Sequence, residues 1–191
     1  MLPEVRIRPM TEQDIPRLAA IRPGFVSPTM LVVEKSGEGL EVGWRLVERL
    51  LPEPYDKGDG YDFNATERRN IQTRLRQGDG LHLVAEAGGR LVGVLDVTPQ
   101  DWNNTAWIWN LMLDTSVRGQ GLGRELFQRA VAWARRQGYR AVMLETQTNN
   151  VPACKFYARM GCQIEGIREA YYTNDDMERG EVAIFWIYRL V

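Results

Sequence analysis

The sequence is poor in metal ligands and in reactive thiols: two cysteines and one histidine in 191 residues. Cys154 and Cys162 make no disulfide framework, and with His82 they make no metal-ligand set, so no metal is expected. An excess of charge of one sign is also lacking. Lys and Arg total 24 against 25 Asp and Glu, a net charge of −1. No basic patch breaks that balance, so neither nucleic acid nor an anionic membrane is an expected partner. No apolar run is long enough to span a bilayer. The opening residues, MLPEVRIRPM, lack the charged-then-apolar layout of a signal peptide, and the expected location is the cytoplasm. Internal repeats, low-complexity segments and linkers are absent. The length suits one sizeable core and is too short for two ordinary domains.

What is present is organised around residues 110–123, NLMLDTSVRGQGLG. An apolar run over 107–113 ends in Asp114, Thr115 and Ser116. Arg118-Gly119-Gln120-Gly121-Leu122-Gly123 follows, and an amphipathic helical pattern starts at once. A strand, a Gly-rich turn and a helix N-terminus in succession make an anion site, with main-chain N–H groups pointing outward and the helix dipole adding positive potential. The glycines let a diphosphate approach the main chain without a Cβ in the way. A P-loop would need a Lys after the last Gly. A dinucleotide fingerprint would need Gly at 124, which is Arg.

Along the chain, 5–8 alternates as a first strand, and Thr11 caps a helix to about Ile21 with Asp14 at the capping-box position. Residues 30–34 are strand-like. A turn at 36–39 leads to alternating Leu40, Val42, Trp44 and Leu46, a second hairpin arm, although this stretch also suits a helix. Pro52 to Gly60 reads as a loop, and Asn64 with Glu67 as a capping box for a helix to Gln77. Strands follow at 81–86 and 91–97 around Gly88-Gly89, then a loop at 99–104 and a strand at 105–114. The helix after the Gly turn shows Leu122, Leu126, Ala130 and Ala134 on one face and stops at Gly138. A strand at 141–146, a helix from Pro152 to Met160, and strands at 162–166 and 182–190 complete the pattern.

The pattern Arg-x-x-Gly-x-Gly on Arg118, Gly121 and Gly123 resembles the acyl-CoA pyrophosphate loop of the GNAT acetyltransferase superfamily. A second stretch, LETQTNNVPACKFYARMGC at 144–162, is similar to the superfamily's strand, open loop and Tyr-bearing helix, with Tyr157 seven residues after Asn150. Gly161 is in register, and Cys162 stands where Phe is usual. LETQTNNVPAC and the loop at Asp101-Trp102-Asn103 look like those of streptothricin acetyltransferases within it. The resemblance covers about 81–190 well and the first 80 residues poorly. It implies a single GNAT domain over 1–191. The implied fold is α/β (α+β), a central mixed, mostly antiparallel twisted sheet flanked by helices on both faces.

The implied chemistry is acetyl transfer from acetyl-CoA to a primary amine. The amine must lose its proton, the thioester oxygen needs a donor, and the departing thiolate benefits from an acid. Main-chain groups of Leu111, Met112 and Leu113 are implied to lie beside the pantetheine arm, with a splayed strand end placing an N–H near the acetyl oxygen. Arg118, Gly119, Gln120, Gly121, Leu122, Gly123 and Arg124 are implied to cradle the pyrophosphate through N–H groups; the Arg124 side chain either adds a contact or is solvated. Asn150 binds the CoA arm on this reading, and it can equally cap a helix. Tyr157 is the implied acid, although a Tyr on an amphipathic helix commonly only packs. Glu145 holds the register of the base in similar ribosomal-protein N-terminal acetyltransferases, with a solvent-facing or Arg-paired strand Glu as the alternative. His82, in an early hairpin, suits solvent or packing better than a base. Core packing is the default for Trp102, Trp107 and Trp109. One of them, Trp109, together with Tyr171 or Tyr172, is a candidate wall for the amine substrate. Asp176, with Asp175 and Glu178, favours a cationic amine if it faces the cleft and is otherwise a solvated turn. The expected substrate is a small cationic amine of the streptothricin kind. Acetylation of a protein N-terminus or lysine, and a non-catalytic acyl-CoA sensor, are the alternatives; a homodimer stays open.

Overall fold

The computed structural model describes residues 4–58 and 63–190, so part of the loop expected up to Gly60 lies outside it. In chain order the strands are β1 (Val5–Pro9), β2 (Val26–Ser36), β3 (Gly43–Asp56), β4 (Leu81–Ala87), β5 (Arg90–Gln100), β6 (Thr105–Leu113), β7 (Ala141–Gln147), β8 (Gln163–Arg168) and β9 (Ala183–Arg189). The helices are α1 (Ala65–Gln77), α2 (Leu122–Arg136), α3 (Val151–Arg159) and α4 (Asp176–Arg179). The contacts divide the chain into two units. One is Met1–Gly24, Gly58–Met143 and Arg189–Val191; the other is Phe25–Lys57 and Leu144–Tyr188.

In the first unit the strand order is β1-β4-β5-β6, followed by the start of β7. The pairs β1/β4, β4/β5 and β5/β6 are antiparallel, and β6/β7 is parallel over Thr105–Trp107. The β4–β5 hairpin turns on Gly88 and Gly89, both at positive φ, the conformation a two-residue hairpin demands and only Gly adopts freely. Asn64 caps α1 by accepting from the N–H groups of Thr66 and Glu67. The Glu67 carboxylate does not complete the expected capping box, because Arg74 and Asn110 hold it instead. The expected apolar face of α2 is buried, with Phe127, Val131 and Trp133 added to it. Met10, Leu18, Ile21, Phe63, Ile71, Val84, Leu91 and Val94 form a buried cluster, with Met112 of β6 packed against it.

Residues 11–21 differ from expectation: they form two 3-10 segments, Glu12–Asp14 and Pro16–Ala20, in place of one α-helix. Pro16 has no N–H to continue an α-helical ladder. The buried Asp14 carboxylate holds the segment together by accepting from Thr11 N–H at 2.9 Å, from Arg8 at 2.7 and 2.8 Å, and from Arg17 at 2.9 Å.

The second unit holds the strands β7-β9-β8, with β8/β9 antiparallel, and a separate two-stranded sheet, β2/β3. The hairpin arm wins over the helix from Gly43 on, after a 3-10 turn at Gly39–Glu41 that takes in Leu40, and both arms are longer than expected; β3 continues through Pro52 and Pro54 to Asp56. Pro28, Pro52 and Pro54 cluster where the register shifts between Ser27 and Thr29, the irregular site where missing N–H groups cost little. No described helix is long and apolar enough to cross a membrane.

Candidate active site

The turn between β6 and α2 is built from its ends inward. Asp114 closes the strand as an Asx cap, accepting from Ser116 N–H at 3.0 Å, from Arg22 N–H at 3.2 Å and from Arg90 at 3.0 Å. Burial pushes its carboxyl up, yet the bonds from Ser116, Arg90 and Arg22 prevail and hold it at about 2. Arg118 plays a different part from the one expected. Its N–H donates to Thr115 O, and its guanidinium donates to Gly24 O at 2.8 Å, Pro23 O at 2.6 Å and Leu113 O at 3.0 Å. It fastens the start of the turn and does not offer its N–H to an anion.

Beyond it, Gly119 and Gly121 stand at φ +75° and +86°, with nothing within 4 Å of where a Cβ would lie. The main chain there is bare and open. Glu125 is the first residue of α2 to bond back, to Gly121 O, so the N–H groups of Leu122, Gly123 and Arg124 belong to the helix's unpaired first turn. Leu122 turns its side chain into the core while Arg124 is exposed. A bare turn at a helix N-terminus is positively polarised.

Leu111, Met112 and Leu113 are half-buried on β6, which pairs with β5 along its whole length. The register shifts between Asp96 and Val97, leaving Trp109 as the extra residue of a bulge. Bulges bend a strand and re-aim a side chain. Trp109 is accordingly 47% exposed, its indole N–H on Thr98 Oγ1 at 2.9 Å and the Arg74 guanidinium 5.0 Å from its ring centre. The packing expected for the tryptophans therefore fails: Trp102 is exposed and Trp107 half-buried as well. His82 is buried, its Nδ1 2.9 Å from Asp96 Oδ1, in a polar group that Arg74, Glu67 and Asn110 complete. Its position is a packed one, not a solvated one.

In the second unit, Glu145 and Gln147 share one face of β7 by period-two alternation. The Tyr172 hydroxyl donates to Glu145 Oε1, and Gln147 Nε2 donates to Tyr172 Oη at 3.1 Å and to Glu145 Oε1 at 3.3 Å. Burial pushes the Glu145 carboxyl up to about 7; the bond from Tyr172 pulls the other way and the charge of Glu181 adds to burial. A group at that value is poised as a base near neutral pH. The Arg partner contemplated for it is replaced by neutral donors.

Asn150 caps α3, its Oδ1 accepting from Ala153 N–H at 3.2 Å. Tyr157 lies on the buried face of α3 with Val151 and Cys154, edge-on to Phe156 at 5.0 Å. Burial pushes the thiols up, Cys154 to about 11 and Cys162 to about 12, so neither supplies a thiolate for a covalent acyl relay at neutral pH.

Asp176 does not present its charge to solvent. It is buried, and it accepts from the N–H groups of Tyr171, Tyr172 and Thr173, each at 2.8 Å, and from Thr173 Oγ1 at 2.7 Å. Burial raises its carboxyl, but those bonds outweigh it and hold it at about 2. Of the acidic cluster, Asp175 and Glu178 are the exposed members. Tyr171 is 44% exposed, packed edge-on against Phe185 and Tyr172. Among the described residues no group of His, Cys, Asp or Glu could hold a metal ion.

The chain belongs to the acetyltransferase (GNAT) family, whose model matches residues 43–162. A streptothricin acetyltransferase of Escherichia coli is 35% identical over 86% of this chain and 84% of its own length. Among solved structures, a nourseothricin acetyltransferase matches with a TM-score of 0.81 at 26% identity, over 98% of this chain and 99% of its own. A putative streptothricin acetyltransferase from Bacillus anthracis str. Ames, in complex with acetyl coenzyme A, matches with a TM-score of 0.76 at 26% identity, over 97% of this chain and 99% of its own. The fold is the GNAT fold, a mostly antiparallel central sheet with helices, and the protein is an N-acetyltransferase.

Proposed function

We propose that this protein moves an acetyl group from acetyl-CoA to a primary amine of a small cationic molecule of the streptothricin kind. The observation that carries the donor half is the open turn at Gly119 and Gly121, followed by the unpaired N–H groups of the first turn of α2. The activities of similar proteins, a streptothricin acetyltransferase and a nourseothricin acetyltransferase, support the amine half.

On this reading the pyrophosphate rests on the N–H groups of 119–124, and the main chain of 111–113 runs beside the pantetheine arm. Asn150 keeps its cap and offers its amide NH₂ to the same arm. Glu145 takes a proton from the ammonium group, directly or through water. The freed nitrogen attacks the thioester carbon, the N–C bond forms, and the C–S bond then breaks. Tyr157 gives the leaving sulfur its proton; the ammonium nitrogen loses two protons in all, the first to Glu145 and the second as the amide forms, and against these one is taken up in CoA-SH and one is released to water. Asp175 and Glu178 attract the cation, and the half-exposed Tyr171 ring is an aromatic surface for it.

The test is thiol release from acetyl-CoA with an amine panel: a streptothricin-class antibiotic, a free peptide N-terminus and a lysine peptide. Turnover with the antibiotic and none with the peptides is expected. Turnover confined to a peptide would transfer the assignment to protein acetylation. CoA binding without any turnover would make the protein a sensor.

A further inference from the structure

We propose that Tyr172 is the positioning residue for Glu145, and that Asp176 sets Tyr172 in place by closing the loop that carries it. The inference rests on the reading of Glu145 as the base. Three groups meet at one point. The Tyr172 hydroxyl donates to Glu145 Oε1, and Gln147 Nε2 bridges both from the same face of β7. A carboxylate held by two donors has one orientation; an unheld one samples several.

Tyr172 itself stands on irregular chain, 41% exposed, with no regular ladder to fix it. Asp176 supplies the missing order. Its two oxygens collect three consecutive main-chain N–H groups and one hydroxyl, all within residues 171–173. The carboxylate that the sequence offered as bait for a cationic substrate is thus the clamp of the loop. The Tyr171 ring, braced on Phe185 and on the Arg168 guanidinium, fixes the neighbouring residue.

The charged and titratable groups that act on Glu145 are Tyr172, Glu181 and Cys154. Glu181 is paired with Lys57 at 2.7 Å, and the Cys154 thiol stays protonated through the working range. Tyr172 therefore acts on Glu145 by a hydrogen bond that favours the charged form. Removing the hydroxyl should raise the carboxyl further and leave it mis-aimed.

The experiment is the pH profile of kcat/KM for the antibiotic, with Glu145→Gln, Tyr172→Phe and Asp176→Asn beside wild type. Phe keeps the ring on Tyr171, so the loop should keep its packing. The proposal expects the bend that belongs to Glu145 to move to higher pH by roughly one unit in Tyr172→Phe, the scale of one charge-assisted hydrogen bond. KM for acetyl-CoA should stay unchanged. Asp176→Asn should shift the bend the same way and lower the plateau. A Tyr172→Phe profile that superimposes on wild type after scaling overturns the positioning role while leaving the base in place. Glu145→Gln within about threefold of wild type, well short of an acid–base group's usual contribution, removes the base and this proposal with it.

Discussion

Glu145 bears a conflict between chemistry and stability, and the conflict is measurable. Its carboxyl sits near 7 in the folded protein, above the ordinary carboxylate range. Between that range and 7 the folded state keeps a proton that the unfolded state has released, so folding stability falls as pH rises through this window. Glu145→Gln lacks the titration. The difference in thermal midpoint, variant minus wild type, should be small at pH 4 and grow in the variant's favour up to pH 8, while activity is lost. A difference that is flat with pH would place the carboxyl in its ordinary range. Tyr157→Phe separates packing from proton donation: the ring stays against Phe156, and kcat should fall by about 10²-fold, the scale of one acid–base group. The loss should shrink for an acyl donor whose thiol leaves more easily, whereas a packing defect gives the same proportional loss with every donor.

Of these residues, Glu145, Asn150 and Tyr157 could be singled out in the sequence because a local motif fixes their spacing. Tyr172 and Gln147 were not assigned to Glu145, although Gln147 stands two residues along the same strand. The true role of Asp176 was hidden because main-chain donors leave no mark in a sequence. The group of Glu67, Arg74, His82, Asp96 and Asn110 was equally hidden, its members coming from one helix and three strands.

The turn from β6 into α2 depends on two devices, bare glycines and a fastened start. Gly121→Asp adds a side chain and a negative charge at a position with open space, so the fold should survive while CoA affinity collapses. Unchanged affinity in calorimetry on the folded variant would remove the pyrophosphate from this turn. Arg118→Lys tests the second device. One ammonium cannot reproduce a planar fork that meets three carbonyl oxygens. KM for acetyl-CoA should rise by about tenfold, the cost of roughly one lost hydrogen bond to a charged group, with kcat changed less. Elements of this kind were read well wherever punctuation was strong: Gly88-Gly89, Asn64 and Gly121 all mark real boundaries. Reading failed where Pro16 turned an expected α-helix into 3-10 turns, and where β3 ran on through Pro52 and Pro54 as an irregular arm.

The chain passes between its two units at residues 24/25, 57/58, 143/144 and 188/189. Neither unit is a continuous stretch. Stability in the first unit leans on buried carboxylates. Asp14 is held well below the usual range by Arg8 and Thr11 against burial, and Asp114 at about 2 by Ser116, Arg90 and Arg22. Depressed values mean stability that is present above the ordinary carboxylate range and is lost as pH falls through the folded value. Unfolding in acid should therefore begin below about pH 4, with Asp114 alone contributing roughly 2 kcal/mol. Asp114→Asn should make that acid limb shallower and leave stability near pH 6 lower than in wild type; an unchanged limb would assign acid sensitivity elsewhere.

Direct transfer to an amine with Glu145 as the base is open to test through the pH dependence of kcat/KM for a streptothricin-class antibiotic. Wild type should show a bend near pH 7, with activity falling on the acid side as Glu145 takes up its proton, and the bend should vanish in Glu145→Gln. A bend that persists unchanged in Glu145→Gln, or a wild-type profile without one between pH 6 and 8, would contradict it.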